Sequence, residues 1–195
     1  MDLAEHLYSV RIVSAVPKFA DSLIALLPRD RYAPMTVVPD AAEARRSMLE
    51  NPADIVVIHT PLPDEFGNRL ALDLCRSGGA GVLLLVRAEH YPDVNARVSP
   101  YGVLVLSRPT SPSVLLQTLS LLCGTRERLR QMERKTASLE EKMEEIRLVN
   151  RAKWLLIEQL KMTEPDAHRY LEKTAMDRCV SKRSVAESII KLYQS

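Results

Sequence analysis

Residues Asp54–Gly67 read DIVVIHTPLPDEFG. Ile55, Val56, Val57 and Ile58 are four β-branched residues in a row, an apolar run of strand length with no polar residue to face water. Such a run predicts a strand buried on both faces, as in a parallel sheet covered by helices. His59 ends the run, Pro61 and Pro63 break the chain, and Gly67 opens the amphipathic stretch Gly67–Arg76. The segment therefore reads as strand, loop, helix. The same pattern repeats on both sides of it. Strands are expected at Ser9–Ser14, Met35–Val38, Asp54–His59, Val82–Val86 and Val103–Leu106. Helices are expected at Lys18–Leu27, Ala41–Glu50, Gly67–Arg76 and Tyr91–Arg97, with a fifth from Ser111. Strands alternating with helices predict βαβ units. The fold class expected is α/β, a flavodoxin-like doubly wound sheet of five parallel strands in the order 2-1-3-4-5.

Ser111-Pro112-Ser113 supplies a hydroxyl cap and a proline at the first helical position. Past Gly124, where a bend is expected, Thr125–Lys161 is strongly helical and charged. In it Leu129, Met132, Thr136, Leu139, Met143, Ile146 and Asn150 alternate at spacings of three and four. Those are the a and d positions of a coiled coil. The stripe is narrow, which favours a seam between two chains over a broad core face. A parallel homodimer is expected, held by Leu129, Met132, Leu139, Met143 and Ile146. The tail then reads as the end of the long helix and two more. Thr163 caps the second helix, with Pro165 and Asp166 in its first turn, and Ser181 caps the third. Ala167, Tyr170, Leu171, Thr174 and Ala175 are expected on the inner face of the second helix. Val185, Ile189 and Leu192 are expected on that of the third. The domains expected are 1–123, a linker coil 124–146, and 147–195.

Composition narrows the function. Of 195 residues 46% are apolar and 27% charged, the balance of a globular protein. No apolar run approaches the ~18 residues that span a bilayer. The start, MDLAEHLYSV, carries acids where a signal peptide carries bases, so a cytoplasmic chain with no membrane partner is expected. Cys75, Cys123 and Cys179 are scattered, and the four histidines have no ligand spacing, so no disulfide framework, metal or other cofactor is expected. No phosphate-binding glycine loop or nucleophile elbow occurs, which argues against an enzyme. Between Arg147 and Ser195 stand ten Lys or Arg against six Asp or Glu, although the whole chain is only +2. A basic tail on an acidic body points to a polyanionic partner.

Residues 8–122 resemble the receiver domain of two-component response regulators. The likeness is carried by Asp54–Gly67 and by SRPTSP at Ser107–Pro112. In that family an Asp ending the third strand accepts phosphate, two acids after the first strand help hold Mg²⁺, a Thr or Ser ends the fourth strand, and a Lys ends the fifth. At the matching positions this chain has His59, Ala15 and Val16, Val86, and Arg108. Magnesium needs hard oxygen ligands, so the resemblance implies a receiver-like domain without its phosphorylation chemistry. A partner protein docking on that domain is one route left for control.

Arg147–Ser195 resembles the ANTAR domain, the RNA-binding module of bacterial antitermination regulators. The matching residues are Arg151-Ala152-Lys153, Leu155 and Leu156, then Met162-Thr163-Glu164, Ala167, Tyr170, Leu171 and Ala175, then Ser184-Val185-Ala186 and Ile189. Trp154 stands where the family usually has Gly. The resemblance implies dimeric binding to hairpins of a leader transcript, letting polymerase read past a terminator. Arg151, Lys153, Trp154, Lys161, Arg169, Lys182 and Arg183 are the expected RNA-binding residues, with Lys153 foremost. The alternatives are a DNA-binding regulator, although the glycine turn of a helix-turn-helix is missing, and a dimerising scaffold under the control of another protein.

Overall fold

The computed structural model describes residues 6–193. Part of the N-terminal stretch read for a signal lies outside the described residues. The chain forms two compact units, Met1–Arg130 and Gln131–Ser195.

In the first unit five parallel strands are β1 (Tyr8–Val13), β2 (Tyr32–Val38), β3 (Ile55–His59), β4 (Gly81–Arg87) and β5 (Leu104–Arg108). Their order is β2-β1-β3-β4-β5, the order expected from the sequence. The Ile55–Ile58 run is central: Val10 to Val13 pair with it on one side and Gly81 to Leu84 on the other. All four residues are fully buried. Full burial of such a side chain contributes about 1.5–3 kcal/mol. Alternate residues feed two cores. Val56 and Ile58 meet α2 (Ala41–Glu50), α3 (Asn68–Arg76) and α4 (Tyr91–Val98). Ile55 and Val57 meet α1 (Pro17–Leu26) and the first turns of α5 (Pro112–Leu160).

Most element ends lie within a residue or two of the expectation, and three places show a local reason for where an element runs. β2 begins at Tyr32, not Met35, because it is an edge strand and tolerates Pro34. β4 begins at Gly81, where an added Cβ would lie 2.8 Å from Leu122 Cγ of α5; the glycine lets helix and sheet close. α5 runs on as an unbroken helix of 49 residues through Gly124. Its start is as expected: Ser111 Oγ accepts from the Val114 amide at 3.3 Å.

In the second unit the end of α5 packs with α6 (Glu164–Asp177) and α7 (Lys182–Tyr193). Thr163 Oγ1 accepts from the Asp166 amide and Ser181 Oγ from the Ser184 amide, so both caps stand where the sequence puts them. Lys161 and Cys179 take left-handed backbone at the ends of α5 and α6, the place usually given to glycine. The core is a narrow seam of Ala152, Leu156, Ala167, Leu171, Ala175, Val185, Ala186 and Ile189. Four alanines let the helices approach closely.

Two residues expected inside this seam lie outside it. Tyr170 is 43% exposed, because α6 turns its 167-171-175 line inward and Tyr170 sits about 100° round from Leu171. Leu192 is 70% exposed, because α7 continues its seam through Ile190 and Tyr193. Thr174 is half-buried at the margin.

Candidate functional site

The carboxyl ends of the strands hold the first cluster of interest. His59 closes β3 with its side chain buried. Its ring stacks on Phe19 of α1, centroids 4.1 Å apart and planes 9° from parallel. Nδ1 lies 3.1 Å from Ser14 Oγ, and Nε2 lies 2.6 Å from an Arg108 guanidinium nitrogen. A guanidinium only donates, so Nε2 must accept and Nδ1 must carry the proton. Nδ1–H then donates to Ser14 Oγ, which also accepts from the Val16 amide at 3.1 Å. Arg108 donates a second bond to the Thr60 carbonyl oxygen.

Burial, and then the positive charge of Arg108, push the His59 pKa down to about 4. Burial, and then Arg87, lower that of Arg108. The pocket is thus cationic around a neutral imidazole.

The other positions singled out fall as follows. Ala15 and Val16 are exposed in the β1–α1 loop, with the Val16 backbone tied to Ser14. Val86 is fully buried in the core on the α3 and α4 side. The nearby acids are engaged in holding helices. Asp64 accepts from the Ala41 and Ala42 amides at the start of α2, which hold its carboxyl below its usual range. Glu65 accepts from the Leu70 amide at 2.8 Å and pairs with Arg45 at 2.9 Å. Among the described residues no three His, Cys, Asp or Glu side chains are placed to share a metal ion. Sequence reading named His59 and Arg108 separately. Their bond, and the parts played by Ser14 and Phe19, connect residues 40 or more positions apart, and no local pattern carries them.

The second cluster is the tail surface. Trp154 is 70% exposed on α5. Arg147, Arg151 and Trp154 follow at i, i+4 and i+7, so they share one helix face. Arg151, Lys161 and Arg169 are exposed. Lys153 is not: its side chain is 18% exposed, and its ammonium donates to Glu164 at 2.8 Å. Lys182 pairs with Glu172 at 2.6 Å and Arg183 with Glu187 at 2.8 Å. Lys153, Glu164, His168, Arg169 and Glu172 line one shallow depression. Arg147, which continues the Trp154 face, was not among the residues singled out from the sequence.

The expected seam residues Leu129, Met132, Leu139, Met143 and Ile146 are 49–60% exposed along α5.

Comparisons with known proteins bear on both clusters. Residues 137–190 match the ANTAR domain family, ten residues earlier than the resemblance first placed it. The chain is 28% identical to the transcriptional regulatory protein PdtaR of Mycobacterium tuberculosis over 169 residues, 86% of this chain and 82% of that one. The first unit has the fold of receiver domains. The signal receiver domain of an HD domain-containing protein from Pseudomonas fluorescens aligns with a TM-score of 0.59 at 19% identity, over 67% of this chain and 96% of that one. A CheY-like receiver domain protein from Methanospirillum hungatei aligns at 0.57 and 17%, over 63% and 98%. No described helix is long and apolar enough to cross a membrane.

Proposed function

We propose that this chain is a regulator, not an enzyme, that binds hairpins in a leader transcript as a dimer and lets transcription continue past a terminator. The match of residues 137–190 to the ANTAR domain carries this reading. Physical features of the tail support it. Arg147, Arg151, Lys161 and Arg169 offer positive charge to phosphates, and Trp154 offers an exposed ring to an unpaired base. At Lys153, Lys182 and Arg183 a phosphate competes with a carboxylate held at 2.6–2.8 Å, and at Arg147 with the looser Glu144 at 3.9 Å. The seam from Leu129 to Ile146 joins two copies. The place of action is the cytoplasm, where transcripts are made.

The receiver-fold unit, in this reading, is not switched by aspartyl phosphate. His59 replaces the acceptor, and Arg108 beside it repels a divalent cation. Acetyl phosphate with Mg²⁺ is expected to leave the mass of the protein unchanged; an added phosphoryl group would overturn this part. A protein partner at that unit remains the proposed route of control.

The deciding experiment is binding of the full chain to a two-hairpin leader RNA and to duplex DNA of equal length, across a salt series. Tight, salt-sensitive binding to the RNA alone supports the proposal. Preference for the duplex would make it a DNA-binding regulator. No binding to either by a dimeric protein would make it a scaffold.

A further inference from the structure

On the α1 and α5 side of the sheet, at the carboxyl ends of β4 and β5, lies an open pocket of about 600 Å³. Ligand pockets commonly fall between about 300 and 1,000 Å³, and in doubly wound sheets they sit at this end of the strands. Phe19 and Leu26 of α1, Leu85 of β4 and Leu115 of α5 supply apolar walls. Arg87 and Arg108, the last residues of their strands, supply charge. They are paired across the β4–β5 ladder. No Asp or Glu lines the pocket.

The two guanidiniums are poorly compensated. Among the described residues Arg87 has a loose, exposed contact with Glu89 at 3.7 Å. Arg108 spends two nitrogens on neutral acceptors, and its Nε is buried without a partner. Burial, and then the charge of Arg87, make the Arg108 cation costly and lower its pKa. An anion between them removes that cost, and charge-assisted bonds to guanidinium are among the strongest available.

We propose that this pocket binds a small amphipathic acid, an organic carboxylate whose charge lies on Arg87 and Arg108 and whose apolar body lies against Phe19, Leu26 and Leu115. A bare inorganic anion would leave the apolar walls wet. An uncharged apolar molecule would leave the two cations uncompensated. The occupant that satisfies both has one anionic end and an aliphatic or aromatic body. Such a ligand touches the first turn of α5.

The test is calorimetric titration of the full chain with octanoate, octylammonium and inorganic phosphate, each as a separate probe. Octanoate is expected to bind at one site per chain, with octylammonium at least tenfold weaker and phosphate silent over the same range. Arg87→Gln is expected to weaken octanoate at least fivefold. Ser22→Trp is expected to abolish its binding by filling the pocket from the exposed face of α1. Both variants should keep the wild-type circular dichroism, since Ser22 bonds only the Lys18 carbonyl on its own helix. The α5 stripe could take up octanoate as a surfactant. Binding that survives both variants would place it there and overturn the proposal. So would equal affinity for octanoate and octylammonium, binding of phosphate as tight as octanoate, or no heat with octanoate.

Discussion

At the scale of single residues, His59 shows how one buried ring is held from three sides. One ring satisfies Ser14 and Arg108 through its two nitrogens and fills space against Phe19. Its folded pKa of about 4 lies below the unfolded value near 6.5. The unfolded chain therefore binds this proton first as pH falls. The stability held by neutral His59 is complete above about pH 6.5 and is lost progressively towards pH 4. His59→Gln can keep both hydrogen bonds but not the titration. Urea unfolding of that variant is expected to show a flatter midpoint between pH 6.5 and 4 than the wild type; parallel curves would mean that His59 titrates normally. Trp154 makes a second residue-scale prediction. Trp154→Ala is expected to cost about 1–3 kcal/mol of RNA affinity, the usual worth of stacking on one base. It should leave the salt slope unchanged, because no charge is removed. Filter binding across a salt series reads both, and a changed slope with unchanged affinity would contradict stacking.

Among the elements, legibility followed the range of the interaction. The β3 run, the prolines after it, Ser111, Thr163 and Ser181 each act within a few residues, and the strands, caps and helix starts stand where those residues put them. Tyr170 and Leu192 were misplaced because helical spacing gives a face but not the width of the seam that covers it. A unit built on four alanines covers only a narrow line. Gly124 lies inside α5 without ending it: a glycine weakens a helix by about 1 kcal/mol, which the helix formers on both sides outweigh. An added Cβ at Gly124 meets nothing within 4 Å. Gly124→Ala is therefore expected to stabilise the protein by about 1 kcal/mol, raising the thermal midpoint by a few degrees. A lower midpoint in differential scanning calorimetry would mean that the helix needs the freedom of a glycine there.

Across the whole molecule, one helix serves three settings in turn. Leu115 and Leu122 of α5 pack on the sheet. Leu129 to Ile146 continue the same heptad line exposed. Ala152 and Leu156 pack on α6 and α7. If a second copy covers the exposed middle, two tails are tethered, and an RNA with two hairpins engages both. The second contact is then intramolecular, with an effective concentration set by the tether and not by the bulk protein. Met143→Lys puts a charge into the seam without touching either packed end. Sedimentation velocity is expected to show a dimer constant at least tenfold weaker, about 1.4 kcal/mol. Affinity for a single hairpin should stay the same, because the tail surface is intact. Affinity for the paired hairpins should fall in step with the dimer constant, about tenfold for a tenfold weaker dimer and up to about 10²–10⁴-fold if the whole avidity term is lost. Equal losses on one hairpin and on two would show that the seam acts through the fold of the tail, and no loss on either would remove the dimer from the mechanism.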